Sequence, residues 1–372
     1  MMKHLRHTPD SLISIRHFYE VAMIEIDGNY GEGGGQILRT ALGLSCLYQV
    51  PFRIANIRRR REKPGLMPQH LTAVRAAQMI SGAAVTGDFK GSTELSFAPS
   101  GLRGGDIFYD IGTAGSTALV LQTLLPALAF GCNAKSTVTL KGGTHVPFSP
   151  SFQYLNEVFA PLLSMLGINV KFKIVSYGFY PRGGGEVRME IHPVKKVKPL
   201  ILKERGRIVE LTGISGVGNL PLSIAERQRK AALACIAGRI KPGASPVRID
   251  VQDVPGPAQG TFIFLKMQFE HTAAGFTALG ARGKPAEKVG QEAAADLVNF
   301  YTSGAPVDRH LADQIVLYLA LCEEESEFVV SGISQHLRTN LWVISRFHNL
   351  KYSIDGEAGQ AGRVRIKKQR SG

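Results

Sequence analysis

A histidine at the start of a C-terminal helix is the first residue in this sequence that could do chemistry. In the segment SGISQHLRTNLWVISRF, residues 331–347, His336 precedes apolar residues spaced as on one face of a helix. A neutral imidazole can attack phosphorus, and both the positive end of a helix dipole and the neighbouring Arg338 would favour the neutral form. A histidine that only hydrogen-bonds to backbone fits the same position, so both roles stay open from the sequence.

A glycine-rich loop near the N-terminus is a candidate anion site. The segment DGNYGEGGGQILR, residues 27–39, leads from a predicted strand into a predicted helix, whose free N–H groups would face an anion. Glu32 in this loop is a candidate ligand for a magnesium ion that accompanies phosphates, and Arg39 follows on the helix. The spacing matches neither the P-loop nor the dinucleotide-binding fingerprint. A tight turn without a ligand would have the same glycines.

Four consecutive arginines follow the second predicted strand, in the segment IRRRREKPGLMPQHL. Such a run repels itself unless an anion is bound, and guanidinium groups suit phosphate oxygens. Arg58 is therefore a candidate phosphate or RNA contact, with Gln69 beside it at the start of the next helix. A solvated basic loop is the alternative.

Two further helices carry polar residues within apolar surroundings. Gln122 interrupts the helix in DIGTAGSTALVLQTLLP, where a structural hydrogen bond is the alternative to a ligand contact. The helix in DRHLADQIVLYLAL begins with His310, Asp313 and Gln314. Asp313 suits a sugar hydroxyl, a base edge or a nearby histidine, although a carboxylate in a first helical turn also stabilises the helix itself.

The elements that must position these residues recur in the order β-α-β-α-β-β. Two copies fill residues 23–206, and a third is predicted to begin near residues 207–211 and to restart near residues 327–331. A different α/β pattern occupies residues 207–305 and predicts an inserted domain. We therefore expect an α/β (α+β) fold with a repeat domain at residues 23–206 and 306–372. Residues 1–22 are predicted to be an N-terminal extension.

The composition points to a polyanionic partner. The 372 residues carry a formal net charge of +14, which suits nucleic acid or nucleotide phosphates but fits an ordinary basic protein as well. The four cysteines form no CxxC pair, so neither a zinc site nor a disulfide framework is expected. A cytoplasmic location is expected, since free thiols are typical of a reducing compartment. No apolar run is long enough to span a membrane. No aromatic-rich surface for binding bases is evident in the sequence.

Seven segments, in order, together resemble the RNA 3′-terminal phosphate cyclase family. They are DGNYGEGGGQILRTALGLS, KPGLMPQHLTAVRAA, GTAGSTALVLQTLLPAL, GGT, GFYPRGGGEV, HLADQIVLYLAL and QHLRTNLWVISRF. The resemblance implies three β-α-β-α-β-β repeats, similar to the C-terminal domain of a translation initiation factor, with a smaller α/β domain inserted in the third. It also implies ATP-dependent conversion of an RNA 3′-phosphate end to a 2′,3′-cyclic phosphodiester through a histidine–AMP intermediate.

The same resemblance implies roles for individual residues. His336 corresponds to the active-site histidine, Glu32 to a ligand of Mg²⁺ or Mn²⁺, and Arg39 and Gln69 to polar active-site positions. The implied ATP-binding residues are Gln122, His310, Leu311, Ala312, Asp313 and Gln314, with Pro150 or Ser151 near the adenine. His310 stands where relatives can have tyrosine, and its smaller ring could still stack on adenine.

Two other functional classes are compatible with parts of the sequence. A non-catalytic RNA-binding or ribosome-assembly protein would bind RNA without consuming ATP. An enolpyruvyl transferase of similar repeat architecture would act on a small phosphorylated substrate without a protein–AMP adduct. The presence of His336, together with the segment HLADQ, favours the cyclase.

Overall fold

The computed structural model describes residues 23–241 and 246–369 of the chain. The predicted mixed α/β fold is confirmed: sixteen strands in the described residues form four four-stranded sheets, with helices packed against them. The predicted extension at residues 1–22 lies outside the described residues. All four cysteines are free thiols. Within the described ranges, no helix combines the length and the apolar character needed to cross a membrane.

The first repeat shows how the apolar pattern fixes strand pairing. Its strands are β1 (Ile24–Asp27), β2 (Phe52–Ala55), β3 (Ala84–Thr86) and β4 (Leu95–Ala98), and its helices are α1 (Gly35–Tyr48) and α2 (Pro68–Ser81). The sheet order is β1-β2-β4-β3, with only the first pair parallel. Buried Ile26 pairs with buried Ile54, because a shift of one residue would turn both side chains away from the core.

The second repeat has the same strand order, β5-β6-β8-β7. Its strands are β5 (Asp106–Asp110), β6 (Ser136–Gly142), β7 (Val170–Ser176) and β8 (Gly185–Ile191). Its first helix is α3 (Thr117–Gly131), and its second, α4, consists of Phe152–Tyr154, a π-helical turn Leu155–Phe159 and Ala160–Met165. The Ser116 hydroxyl caps α3 by accepting a hydrogen bond from Leu119 N at 3.2 Å.

The inserted unit has its own sheet and its own apolar core. It comprises β10 (Ile208–Gly218), α5 (Ser223–Ile236), β11 (Arg248–Asp253), β12 (Gly260–Phe269), β13 (Ala273–Leu279) and α6 (Ala286–Ser303). The sheet order is β11-β10-β12-β13. Its core is built around Leu211, Ile263, Leu265 and Leu297. The sequence did not predict β13, because its alanines and glycine have low strand propensity.

The third repeat is divided by the inserted unit. It consists of β9 (Ile201–Leu202), α7 (Arg309–Ala320), β14 (Ser326–Val330), α8 (Gln335–Phe347), β15 (Leu350–Asp355) and β16 (Gly362–Lys368). Its sheet order, β9-β14-β16-β15, repeats that of the other two.

The start predicted for this repeat, near residues 207–211, was wrong. Those residues begin β10 in the inserted sheet, whereas β9 pairs in parallel with β14. A two-residue strand is too short to give a periodic signal, and β15, with one side exposed, was also missed. The predicted domain limits, 23–206 with 306–372 and 207–305, stay a prediction.

Helix α1 approaches α3 closely at Gly43, one turn beyond Arg39. A Cβ at Gly43 would lie 2.9 Å from the Thr123 carbonyl oxygen, which belongs to backbone and cannot rotate away. This glycine therefore sets the spacing between the helices that carry Arg39 and Gln122.

We expect Gly43→Ala to lower the free energy of unfolding by about 1–3 kcal/mol, the usual cost of overpacking. At an uncrowded helical site the same change would stabilise the protein by about 0.5–1 kcal/mol. Urea unfolding measures the difference. The control is Gly131→Ala, where the close atom is the Cδ2 atom of the Leu102 side chain, so the cost should be smaller. A stability gain for Gly43→Ala would show that the helices are not in close contact.

Candidate active site

A cleft of about 810 Å³ lies between the helices of the repeats and the inserted unit. Its volume is in the range of small-ligand sites. The predicted site residues that line it are Glu32, Arg39, Arg58, Gln69, Gln122, Pro150, His310, Asp313, Gln314 and His336. Leu311 and Ala312 are not brought into the cleft, since both side chains are fully buried in the core. The cleft thus collects residues from all three repeats.

The first turn of α8 presents His336 to the cleft. The Ser334 hydroxyl caps this helix by accepting a hydrogen bond from Leu337 N at 2.9 Å. The same hydroxyl donates to the Asp313 carboxylate on α7. The Asp313–Ser334 contact therefore ties the helix start that carries His336 to the neighbouring helix.

A second connection joins α8 to α1 and α7. Asn340 lies one turn after His336, and its amide donates to the Asp313 carbonyl oxygen at 2.8 Å. Its side-chain oxygen accepts a hydrogen bond from the Thr40 hydroxyl at 2.9 Å. The first and third repeats are thus fixed relative to each other at the cleft.

His336 faces a carboxylate and several cationic groups. Its Nε2 atom lies 2.8 Å from Glu32 Oε1. Burial lowers the pKa of His336, the Glu32 carboxylate opposes this shift, and Arg39, His310 and Arg61 reinforce it. The neutral imidazole is therefore favoured, as a nucleophile requires.

The prediction that Arg338 helps to lower the pKa of His336 named the wrong arginine. The charges that depress the pKa of His336 belong to Arg39 and Arg61, whereas the Arg338 charge acts on the Tyr352 phenol, where it opposes the burial that raises the pKa. Residues two positions apart on a helix point in different directions, so proximity in sequence gave the wrong partner.

Glu32 has the properties of a single protein ligand to a phosphate-bound cation. Its Oε1 atom is buried and has no hydrogen-bond partner of good geometry. Arg61 lies 3.9 Å from its other oxygen. Among the residues the structure describes, no group of three or more His, Cys, Asp or Glu side chains could hold a metal by itself. Magnesium bound through one carboxylate and substrate phosphates needs no such group, so Glu32 fits this mode.

Arg39 is available for an anion. It has no carboxylate within 4.0 Å among residues 23–241 and 246–369, and burial lowers its pKa to about 10. Beside it, buried His70 accepts a hydrogen bond on Nδ1 from Met67 N at 3.0 Å. Burial lowers the pKa of His70 to about 3, so the ring is neutral and its proton is on Nε2. That Nε2–H group faces Gly35, where a Cβ would lie 2.4 Å away.

Arg58 is held in place by its own loop. It has a positive φ of 54°, and its Nη1 atom donates to the carbonyl oxygens of Lys63 at 2.7 Å and Gly65 at 3.0 Å. Its remaining N–H groups are free to face the cleft, which it lines together with Arg61 and exposed Gln69. The arginine run is thus partly organised by the fold and is not only a solvated loop.

The opposite wall carries polar groups suited to a nucleotide. The Gln122 amide donates to the side-chain oxygen of Gln314, whose own amide donates to the His310 carbonyl oxygen at 3.0 Å. Burial and the charge of Arg309 lower the pKa of His310, while Asp296 opposes the shift. The His310 ring lines the cleft, where surrounding groups desolvate it although part of its surface stays open, and it is favoured in its neutral form, as stacking on a base requires.

Two carboxyl groups belong to this wall, Asp308 buried behind it and Asp313 in its lining. Asp308 caps α7 by accepting hydrogen bonds from His310 N at 2.9 Å and Leu311 N at 3.0 Å. It also accepts one from the Tyr154 hydroxyl, and burial raises its pKa to about 6. Burial raises the pKa of Asp313 to about 8, with repulsion from Asp308 and Glu32 adding to the shift. Asp313 is therefore protonated in a large fraction of molecules at neutral pH.

Sequence reasoning missed the contribution of the inserted unit. Thr277 on β13 and Asp296 on α6 line the cleft, and the Thr277 hydroxyl lies 2.8 Å from the Ser151 hydroxyl beside Pro150. No local pattern marks either residue, because the contact depends on how the unit docks on the repeats. His70 gave a weak signal, as one half of a polar pair at a helix start.

Comparisons with known proteins agree on one family. The family model described as "RNA 3′-terminal phosphate cyclase" matches residues 30–354. Curated proteins of that name include one from Methylococcus capsulatus, 44% identical over 354 residues, which cover 93% of this chain and 97% of the relative. One from Sulfurisphaera tokodaii is 46% identical over 337 residues, covering 90% and 97%. One from Pyrococcus furiosus is 43% identical over 348 residues, covering 92% and 98%. The chain is an enzyme of the RNA 3′-terminal phosphate cyclase family.

Proposed function

We propose that this protein converts an RNA 3′-phosphate end to a 2′,3′-cyclic phosphodiester with ATP, through a covalent adduct of AMP on His336. The observation that supports this most directly is the position of His336. His336 lies at a helix start inside the cleft, beside the Glu32 carboxylate and near enough to unpaired Arg39 for that charge to act on it. The pKa of His336 is depressed in this position. The curated relatives are named for the same overall activity.

In the first step, His336 Nε2 attacks the α-phosphorus of ATP. A P–N bond forms, the bond to the β-phosphate oxygen breaks, and pyrophosphate leaves. The attacking lone pair is on Nε2, so the proton of the neutral ring must be on Nδ1 and the 2.8 Å contact with Glu32 must open. Arg39 stabilises negative charge on the transferring group.

Glu32 would hold Mg²⁺ or Mn²⁺, which supplies positive charge that neutralises the phosphates when it is bound. On the opposite wall, Gln122, Gln314 and Pro150 contact the nucleotide, and the neutral His310 ring stacks on the base. These side chains hold ATP with its α-phosphate towards His336.

In the second step, an oxygen of the RNA 3′-phosphate attacks the phosphorus of the adduct. The P–N bond breaks, His336 is released, and the RNA end becomes a 3′-phosphate joined to AMP. In the third step, the adjacent 2′-hydroxyl attacks the terminal RNA phosphorus, loses its proton to solvent, and AMP leaves. Arg58, Arg39 and Gln69 orient the RNA phosphate in both steps.

The third step needs little from the protein beyond orientation. The 2′-hydroxyl and the phosphorus belong to the same ribose, and well-oriented groups of this kind reach effective molarities of about 10⁵ M or more. The requirement for a 2′-hydroxyl restricts the substrate to a terminal ribonucleotide. RNA 3′-phosphate ends and ATP are therefore the proposed partners, and the cytoplasmic location stays a prediction.

His336→Ala should abolish covalent labelling of the protein by α-³²P-ATP and magnesium, because the P–N bond cannot form. Denaturing electrophoresis measures the label, which in the wild type should be lost in acid. His192→Ala is the control, since this histidine does not line the cleft. Label retained by the His336 variant would assign the nucleophile elsewhere, and no label on the wild type would contradict the covalent mechanism.

Glu32→Gln should weaken Mn²⁺ binding in the presence of a non-hydrolysable ATP analogue by at least about tenfold, since the anionic ligand is lost. Electron paramagnetic resonance of free Mn²⁺ measures this without catalysis. Exposed Glu25 on β1 offers the matched control Glu25→Gln. Equal affinity in the Glu32 variant and the wild type would exclude Glu32 as the ligand.

Asp313→Asn should stabilise the protein more at pH 8 than at pH 5. The folded-state pKa of Asp313, about 8, lies above the ordinary value of 3.8, so the unfolded chain ionises first and wild-type stability falls as pH rises between these values. Asparagine does not titrate and can still accept the Ser334 hydrogen bond. Thermal midpoints of both proteins at the two pH values give the comparison. If the difference in thermal midpoint between variant and wild type stayed constant or fell as pH rises, the raised pKa of Asp313 would be contradicted.

A further inference from the structure

A partly exposed aromatic stack lies beside the glycine loop that carries Glu32. The rings of Tyr30 and Trp342 are parallel within 9°, with centroids 3.9 Å apart. Tyr30 keeps 40% of its surface exposed and Tyr352 keeps 38%. No local sequence pattern marks such a surface, because the three residues come from the glycine loop, α8 and β15. We call Tyr30, Trp342 and Tyr352 the aromatic platform.

Basic residues flank the platform at helical spacing. Arg338, Trp342 and Arg346 are four residues apart on α8, so they form one stripe along the helix. Arg338 also lies close enough to Tyr352 for its charge to act on the phenol. Neither arginine has a carboxylate within 4.0 Å among the residues that the structure describes. Two unpaired guanidinium groups thus lie on either side of the half-buried Trp342 ring.

The platform is close to the proposed nucleophile. Trp342 follows His336 by six residues, about 9 Å along the helix axis at 1.5 Å per residue. Tyr30 is two residues from Glu32 in the same loop. Six residues also turn an α-helix by about 600°, so Trp342 lies about 120° around α8 from His336. A stacked single strand advances about 3.4 Å per nucleotide, so the platform is at least two to three nucleotides from His336.

We propose that the platform binds the RNA strand upstream of its 3′-phosphate. A base stacks on the face of Tyr30 that is turned away from Trp342, and backbone phosphates contact Arg338 and Arg346. This inference rests on the proposed function and extends the same site beyond the terminal nucleotide. Alternating aromatic and guanidinium groups match the alternating bases and phosphates of a single strand. The net charge of +14 favours a polyanion over an ordinary protein partner at this surface.

The stacking contact can be measured without catalysis. Trp342 is the single tryptophan of the chain, so its fluorescence reports on the platform alone. The probe is a hexaadenylate ending in a 3′-phosphate, titrated without ATP. We expect RNA to quench Trp342 and Tyr30→Ala to weaken binding about 5- to 150-fold, as loss of one base–aromatic stack implies. Tyr30→Phe should bind within about twofold of the wild type.

A control variant and a change in the RNA distinguish loss of the stacking contact from misfolding of Tyr30→Ala. Phe108 is 59% exposed on β5 and does not line the cleft, so Phe108→Ala should bind RNA as the wild type does. In the intact protein, RNA with abasic residues at the second to fifth positions from the end should lose at least as much affinity as Tyr30→Ala loses. Combining the variant with this RNA should cause little further loss.

The role of the two arginines has a separate readout. Arg338→Gln and Arg346→Gln should each reduce the slope of log Kd against log salt concentration by about 0.7, the value for one phosphate contact on a single strand. If the slope of log Kd against log salt concentration did not change, neither arginine would contact an RNA phosphate.

Two outcomes would overturn the platform proposal. One is equal affinity of the wild type for abasic and intact RNA. The other is fluorescence that changes with protein concentration in the absence of RNA, which would make this surface a contact between copies of the chain. Failure here is distinct from failure of the proposed function, because RNA affinity is measured without ATP and the His336 label without RNA.

Discussion

The site depends on keeping one imidazole neutral in a cleft that also collects positive charge. Burial and the charges of Arg39 and Arg61 disfavour a proton on His336, whereas the Glu32 carboxylate, 2.8 Å away, favours one. The arginines that suit phosphate binding therefore also prepare the nucleophile. Since Glu32 lies in the first repeat and His336 in the third, this balance exists only in the assembled fold.

The repeats meet at the cleft through a few polar contacts. Thr40, Asn340 and Asp313 form a chain of hydrogen bonds across α1, α8 and α7, and Ser334 joins this chain to the start of α8. The Asp313 carboxyl group accepts the hydrogen bond that holds Ser334 in place. Burial at this position raises the pKa of Asp313. Rigid helix starts of this kind can hold reacting groups within a few tenths of an ångström.

The inserted unit completes the nucleotide side of the cleft. Its Thr277 lies against Ser151, and its Asp296 acts on the His310 ring. The aromatic platform lies on the glycine loop, α8 and β15, without residues of the inserted unit. The geometry therefore divides the proposed substrates between two surfaces, with ATP against the inserted unit and RNA along α8.

The sequence by itself determined the fold class, the helix that presents His336 and ten of the residues that line the cleft. Periodic apolar residues and glycine turns are local signals, and seven ordered segments carried the family resemblance. It did not predict β13, β9 or β15, because short, small-residue or half-exposed strands have weak patterns.

Only the tertiary structure decided that Leu311 and Ala312 lie in the core, that Arg61 rather than Arg338 acts on His336, and that Tyr30 stacks on Trp342. Each of these depends on the distance between residues far apart in the chain, and a linear pattern does not encode that distance.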